Sequence, residues 1–160
     1  MNEFRPYVGM EFESQDNAYA FYNRYAAKLG FSVRKHSTSL SRKDKTVIGR
    51  TYCCSLEGKR DPRAKPFEEQ KKKQVDTRTG CKAHTIIRKK TDKWVVTVVV
   101  EEHNHILVSP KKMHKLRSQR HISEGHEKII DNIRLAGIKT NLAMNFLGLE
   151  SGGVQNIVQT

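Results

Sequence analysis

The sequence predicts an α+β protein in which an N-terminal helix packs on a four-stranded antiparallel sheet, with short helices following toward the C-terminus. Three observations carry this prediction. One segment near the N-terminus has apolar side chains at helical spacing. Four short segments rich in β-branched and aromatic residues follow, separated by polar turns. After residue 120, two weaker helical patterns appear.

The first helix is predicted at residues 15–29, after an extended lead-in at residues 4–13. Ser14 is a good N-cap, Asp16 complements the positive end of the helix, and Gly30 stands where helices commonly end. The apolar face is formed by Ala18, Phe21, Tyr22, Tyr25, Ala26 and Leu29. This stripe is expected to cover one face of the sheet.

Strands are predicted at residues 30–39, 47–54 and 80–88, and in a fourth segment that starts at Trp94 with the run W-V-V-T-V-V-V. Short strands with turns between them favour antiparallel pairing. Residues 57–79 are rich in Lys, Glu, Gln, Pro and Arg, so they are predicted to form a long mobile loop.

The chain changes character after its fourth strand. Residues 110–120 form a basic connector, and Ser123 is expected to cap a helix that runs from Glu124 to about Ala136, with a second helix at residues 141–147. The predicted organisation is a domain at 10–108, a basic linker at 109–122 and a helical extension at 123–160. The extension is expected to be the start of a longer region.

Charge restricts the classes of partner. The 160 residues carry a net charge of +13, which favours a polyanion, with nucleic acid first and an anionic membrane second. No apolar run approaches the roughly 18 residues that span a bilayer, and no secretory signal is expected. Three cysteines, two of them adjacent, make a poor disulfide framework and favour a reducing compartment.

The fourth strand segment leads into His103 and His105, which could bind one metal ion together. One cysteine of the pair Cys53 and Cys54, together with Cys81, would complete a tetrahedral zinc site. All of these residues stand at predicted strand ends, where several ends can converge. The spacing is not that of an ordinary Cys2His2 finger. The alternative is that the thiols are small buried hydrophobic groups and the histidines are solvated.

Several separated motifs, in order, resemble one family: F-Y-N-R-Y-A-A, G-F-S-V-R, C-S-L-E-G, G-C-K-A, Trp94 and H-N-H. They are similar to the N-terminal domain of the plant FAR-RED IMPAIRED RESPONSE and FAR-RED ELONGATED HYPOCOTYL proteins, which are transcription factors derived from Mutator-type transposases. The resemblance covers about residues 10–120. It implies a fold of the WRKY and glial-cells-missing type, with zinc at one end of a four-stranded sheet and Cys54 rather than Cys53 as ligand.

The resemblance also implies which strand contacts DNA. Folds of this type present one strand to the major groove, and that strand corresponds to residues 30–39. The expected DNA-binding residues are Arg34, Lys35, His36, Arg42, Lys43 and Lys45. Arg34 and His36 are expected on one strand face, where arginine could contact guanine, while lysines neutralise phosphate. Arg50 and Arg88 on the neighbouring strands are the second choice, and a solvated charged face is the alternative interpretation.

The sequence therefore predicts a nuclear, sequence-specific DNA-binding domain that regulates transcription. Its expected partners are double-stranded DNA and other transcription regulators, with no membrane and no small-molecule substrate. The alternative is a zinc-stabilised protein-interaction module that binds acidic partners. No enzyme activity is expected, because the consecutive His-Asn-His is not the nuclease motif of that name and no carboxylate cluster suits catalytic magnesium.

Overall fold

The computed structural model describes residues 4–59, 77–120, 122, 124–153 and 157. The chain divides into two compact units, Met1–Val108 and Ser109–Thr160. Most of the predicted loop, residues 60–76, lies outside the described residues, as does the helix cap predicted at Ser123. The mobility of that loop therefore stays a prediction.

The first helix, α1, spans Gln15–Leu29, and its predicted bounds are confirmed. The Ser14 side chain accepts a hydrogen bond from the backbone N–H of Asn17, and Gly30 ends the helix with φ +93°. Four of the predicted core residues are buried: Ala18, Tyr22, Tyr25 and Ala26. Leu29 is 39% exposed, so its assignment to the core was wrong, because it occupies the last turn of the helix.

Five antiparallel strands form the sheet, in the order β1-β5-β4-β3-β2. Their bounds are β1 Glu11–Phe12, β2 Val33–Leu40, β3 Val47–Cys54, β4 His84–Lys90 and β5 Lys93–Val100. The α+β class is confirmed, but the predicted number of strands was wrong. The predicted lead-in contributes the two-residue β1, in which Glu11 and Phe12 pair with Val95 and Trp94 of β5. A strand of two residues forms only because β5, far away in the sequence, offers it a partner. It is too short to leave a periodic pattern in the sequence.

Several strand ends differ from the prediction, and the starts of β2 and β4 differ most. β2 begins at Val33 rather than residue 30, and β4 begins at His84 rather than residue 80. Before β4 the chain turns at Gly80, with φ +71°, and the backbone N–H of Cys81 donates to the carbonyl of Leu56 instead of joining the ladder. β5 ends at Val100 because its ladder partner His84 is the first residue of β4. The predicted histidines therefore lie beyond the strand.

The core of Met1–Val108 lies between α1 and one face of the sheet. It contains aromatic residues from both layers and from the connection between α1 and β2: Tyr22, Tyr25, Phe31, Tyr52 and Trp94. Gly30 also admits a close approach of the chain beyond β5, because the N–H of Val108 donates to its carbonyl at 2.7 Å and a Cβ there would overlap the Val108 backbone. The other face of the sheet carries no helix from the described part of this unit.

The unit Ser109–Thr160 contains two short 3-10 helices, Pro110–Lys115 and Arg117–Gln119, where an unstructured connector was predicted. Two α-helices follow, α2 at Glu124–Leu135 and α3 at Thr140–Glu150. α3 extends beyond the predicted 141–147 at both ends. Ala143, Leu147 and Ile157 are buried. Among the described residues, no helix has the length and apolar character needed to cross a bilayer.

Candidate metal centre and nucleic-acid interface

The four residues predicted as metal ligands converge at one end of the sheet. Cys54 is the last residue of β3, Cys81 precedes β4, and His103 and His105 follow β5. One ligand atom from each of the four lies within 4.8 Å of the others. Both thiols are buried and both histidines are half-buried. We call this group the metal end of the sheet.

The distances within this group suit a tetrahedral ion. Cys54 Sγ lies 3.3 Å from His105 Nε2, Cys81 Sγ lies 3.4 Å from His103 Nδ1, and the two facing ring nitrogens are 3.1 Å apart. Ordinary zinc bond lengths place sulfur and nitrogen ligands about 3.5 Å apart and two nitrogens about 3.3 Å apart. Two thiols and two imidazoles are also the donor set that structural zinc prefers. The residues therefore fit a zinc ion.

Neighbouring groups fix which ring nitrogen of each histidine faces the site. His105 Nδ1 lies 3.1 Å from the carbonyl oxygen of Ile106, so that nitrogen carries the proton and the Nε2 lone pair faces Cys54. His103 presents Nδ1, and its ring packs against Phe31 with the centroids 4.4 Å apart. Burial, followed by the charge of His105, lowers the pKa of His103. A neutral imidazole is the form that binds a metal.

Asn104, between the two histidines, joins the segments that carry the ligands. Its Nδ2 donates to the carbonyl of Thr79 at 2.8 Å, and the Thr79 hydroxyl donates to Asn104 Oδ1 at 2.9 Å. The bend after β5 is thereby bonded to the segment that leads into Cys81. This role was not predicted from the sequence. The sequence offered one indication of it: an asparagine, whose side chain can both donate and accept hydrogen bonds, stands between the two histidines.

Cys53 lies outside the group of four, on the sheet face turned away from α1. It pairs with Arg34 across the β2–β3 ladder, and its Sγ lies 3.9 Å from Glu57 Oε2. Burial raises the pKa of its thiol. The adjacent Cys54 faces the core, where burial likewise raises its pKa. Alternation along β3 therefore separates the two thiols onto opposite faces of the sheet.

The predicted DNA-contacting strand is β2, at one edge of the sheet. Its residues from Lys35 to Leu40 are exposed. Arg34 forms an ion pair with Glu57, and His36 Nδ1 lies 3.6 Å from the same carboxylate oxygen. Lys35 lies on the α1 side, with Nζ 4.6 Å from the centroid of the Tyr19 ring. The expectation that Arg34 and His36 share a face agrees with their common contact to Glu57, a contact that was not predicted from the sequence.

The other predicted cations lie at the end of the sheet opposite the metal end. Arg42, Lys43 and Lys45 are exposed in the turn between β2 and β3. Asp44 holds this turn by accepting hydrogen bonds from the backbone and the hydroxyl of Thr46. Hydrogen bonds from Ser41 and then Thr46 lower the pKa of Asp44. The carboxylate is therefore engaged within the turn.

The turn between β4 and β5 lies at the same end, because Gly49 near the start of β3 pairs with Arg88 near the end of β4. We call residues 41–46 and 88–93 together the hairpin end. Its cations are Arg42, Lys43, Lys45, Arg88, Lys89, Lys90 and Lys93. Lys93 is bonded to Glu11 at 3.1 Å. Polar turns between the strands were predicted, but the position of these two turns side by side was not.

The sequence contains two further basic stretches. Lys71, Lys72 and Lys73 lie outside the described residues. Lys112, Lys115, Arg117 and Arg120 are exposed within the unit Ser109–Thr160.

Comparison with known proteins gives consistent matches. The family model described as the FAR1 DNA-binding domain matches residues 20–109. The chain is 39% identical over 158 residues to Protein FAR1-RELATED SEQUENCE 5 of Arabidopsis thaliana, covering 97% of this chain and 20% of that protein. It is 43% identical over 103 residues to Protein FAR1-RELATED SEQUENCE 12 of the same plant, covering 64% and 11%.

A third relative is Protein FAR-RED IMPAIRED RESPONSE 1 of Arabidopsis thaliana, which is 28% identical over 156 residues, with 97% of this chain and 19% of that protein covered. The chain thus spans a fifth or less of the length of these three relatives. No solved structure matches.

Proposed function

Since the chain belongs to the FAR1 DNA-binding domain family, we propose that it binds double-stranded DNA with sequence specificity and regulates transcription in the nucleus. The family description names DNA binding, and the proposed role is accordingly binding rather than catalysis. The net charge of +13 supports a polyanionic partner.

Zinc has a structural role in this proposal. Cys54, Cys81, His103 and His105 would hold it, and they come from the end of β3, the approach to β4 and the bend after β5. Four protein ligands close such a site, so the ion would connect these segments rather than act on a substrate. A fold of the WRKY and glial-cells-missing type is part of the same proposal.

The observation that carries the DNA interface is the position of β2. It is an edge strand with six consecutive exposed residues, 35–40, and it leads directly into the basic turn at 41–46. The major groove of B-DNA is about 12 Å wide and admits a two-stranded ribbon. We infer that β2 and the turn at 41–46 enter the groove, while the lysines of the hairpin end lie along the phosphates.

The six predicted DNA-binding residues then divide by their present contacts. Lys43 and Lys45 are exposed and suit phosphate. Arg42 is also exposed, and the described part of the chain gives its guanidinium no ion-pair partner, so it is the first candidate for a bidentate contact to guanine. Arg34 and His36 could contact bases only after breaking their contacts with Glu57. Lys35 could contact DNA only after leaving the Tyr19 ring.

Selection of bound sites from a random duplex pool tests this function. We expect one recurring sequence and, at fixed salt, a clear preference for it over scrambled duplexes. An acidic polypeptide serves as competitor, because the hairpin end would also attract an acidic protein. If scrambled duplex and acidic polypeptide compete as well as the selected site, the protein-interaction alternative is correct.

A further inference from the structure

A second cluster of metal-binding side chains lies on the sheet face turned away from α1. It consists of His36 from β2, Cys53 from β3 and Glu57 from the turn after β3. One ligand atom from each lies within 4.8 Å of the others. None of these residues belongs to the group at the metal end. They offer nitrogen, sulfur and oxygen donors, a mixture that suits zinc and similar borderline divalent ions.

The separations within this cluster are close to those that a bound ion requires. Glu57 Oε2 lies 3.6 Å from His36 Nδ1 and 3.9 Å from Cys53 Sγ. Ordinary zinc bond lengths would bring these pairs to about 3.3 and 3.5 Å. Closure by a few tenths of an ångström is within reach of the His36 and Glu57 side chains, neither of which is buried.

The backbone of β2 directs His36 toward this position. The register with β3 shifts between Lys35 and Ser37, so His36 is the extra residue of a β-bulge. A bulge changes the direction of the side chain it carries. Beside the cluster, a groove of about 530 Å³ is lined by the same three residues together with His84 and Lys82. It provides room for water or another ligand at an open coordination position.

Arg34 supplies the second observation that points to a ligand here. Its guanidinium pairs with Glu57, yet its Nε is buried with no hydrogen-bond partner in the described part of the protein. Arg34 is also the residue that pairs with Cys53 across the ladder. A buried donor without an acceptor is costly. A thiolate at Cys53, formed when a metal displaces the thiol proton to solvent, would give this N–H an acceptor.

We propose that His36, Cys53 and Glu57 form a second site for zinc or a similar divalent transition metal, open to solvent at its fourth position. Arg34 is the positioning residue that bonds the carboxylate and the metal-bound thiolate. The thiolate and the carboxylate offset the charge of the ion, and Arg34 donates to both of them. The site would tie the bulge of β2 to the turn after β3, fixing the edge strand at its middle.

Cobalt(II) titration of the full chain with one zinc already bound tests this proposal. We expect one further equivalent to bind, with an ultraviolet sulfur-to-cobalt band from a single thiolate and no release of zinc. His36→Ala and Glu57→Gln should abolish this equivalent while the bound zinc stays. Arg34→Gln should weaken it about tenfold or more, as removal of a partner outside the ligand set does.

His84→Ala is the matched control, because His84 lines the same groove outside the three donors and should leave cobalt binding unchanged. The variants at His36 and Glu57 decide the test, since both side chains are partly exposed and neither belongs to the buried core. Absence of a further equivalent, or a sulfur-to-cobalt band that survives His36→Ala, overturns the proposal.

Discussion

The two ends of the sheet have opposite chemistry. At the metal end, buried thiols and half-buried imidazoles from three separate segments meet within hydrogen-bonding distance. At the hairpin end, seven Lys or Arg side chains and two Asp side chains surround two turns. One end can support the fold and the other can attract a polyanion. A substitution at each end should therefore change a different measurement.

The largest expected effect is at the metal end. Cys81→Ser or His105→Ala should unfold the unit Met1–Val108, because structural zinc contributes about 10–16 kcal/mol in small zinc peptides. That is comparable to the whole stability of an ordinary domain, about 5–15 kcal/mol. Circular dichroism melting and zinc content measure it. Cys53→Ser is the matched control, since it lies beside Cys54 but outside the group of four, and it should keep both the fold and this zinc.

If the Cys81→Ser variant unfolds cooperatively at the same melting temperature as the wild type, the metal end does not stabilise the sheet.

The second-largest effect, on DNA binding, is expected at the hairpin end. Arg42→Ala should cost about 1–3 kcal/mol in binding to the selected duplex, the value of a good bidentate base contact, and should relax preference at one or two positions. Arg34→Ala is the informative comparison, because its guanidinium is paired with Glu57. We expect Arg34→Ala to decrease the stability of the fold clearly and to change the preferred DNA sequence little. Binding isotherms at fixed salt measure both variants.

If Arg34→Ala relaxes the preference and Arg42→Ala does not, the base contacts come from the start of β2. Glu57→Gln should then tighten binding by releasing Arg34.

A smaller effect is expected from Asn104, which holds the metal end together without contributing a ligand. Asn104→Ala removes both hydrogen bonds to Thr79. We expect a decrease of about 1–2 kcal/mol in the free energy of unfolding and weaker zinc binding, by about tenfold. Denaturant unfolding and competition with a chelator measure these. Asn145→Ala in α3, an exposed asparagine in the other unit, should change neither.

The sequence predicted what local signals determine. α1 has an N-cap, a regular apolar stripe and a terminal glycine within 17 residues, and its bounds were correct. Cys81, His103, His105 and one cysteine of the Cys53–Cys54 pair were proposed as ligands because they stand beside predicted strand ends, and only the family resemblance selected Cys54.

Contacts between distant segments could not be predicted. The pairing of Glu11 with Val95 adds a strand of two residues, too short for any periodicity. The carboxylate of Glu57 reaches Arg34 across 23 residues and changes the expected role of that arginine. The bulge at His36 depends on the register with β3, which the sequence of β2 alone does not determine.

The smallest effects are expected from the lysines of the hairpin end, and they test whether both turns lie on the DNA backbone. Removing a lysine that neutralises one phosphate should reduce the slope of log affinity against log salt by about one. Lys43→Ala and Lys45→Ala should each do so for every duplex, selected or scrambled. Lys89→Ala and Lys90→Ala should do the same, because the register of β3 with β4 places the two turns at one end. Arg24→Ala, exposed on α1, is the control and should leave the slope unchanged. If only Lys43 and Lys45 alter the slope, DNA contacts the turn after β2 alone, and the cations of the other turn are solvated.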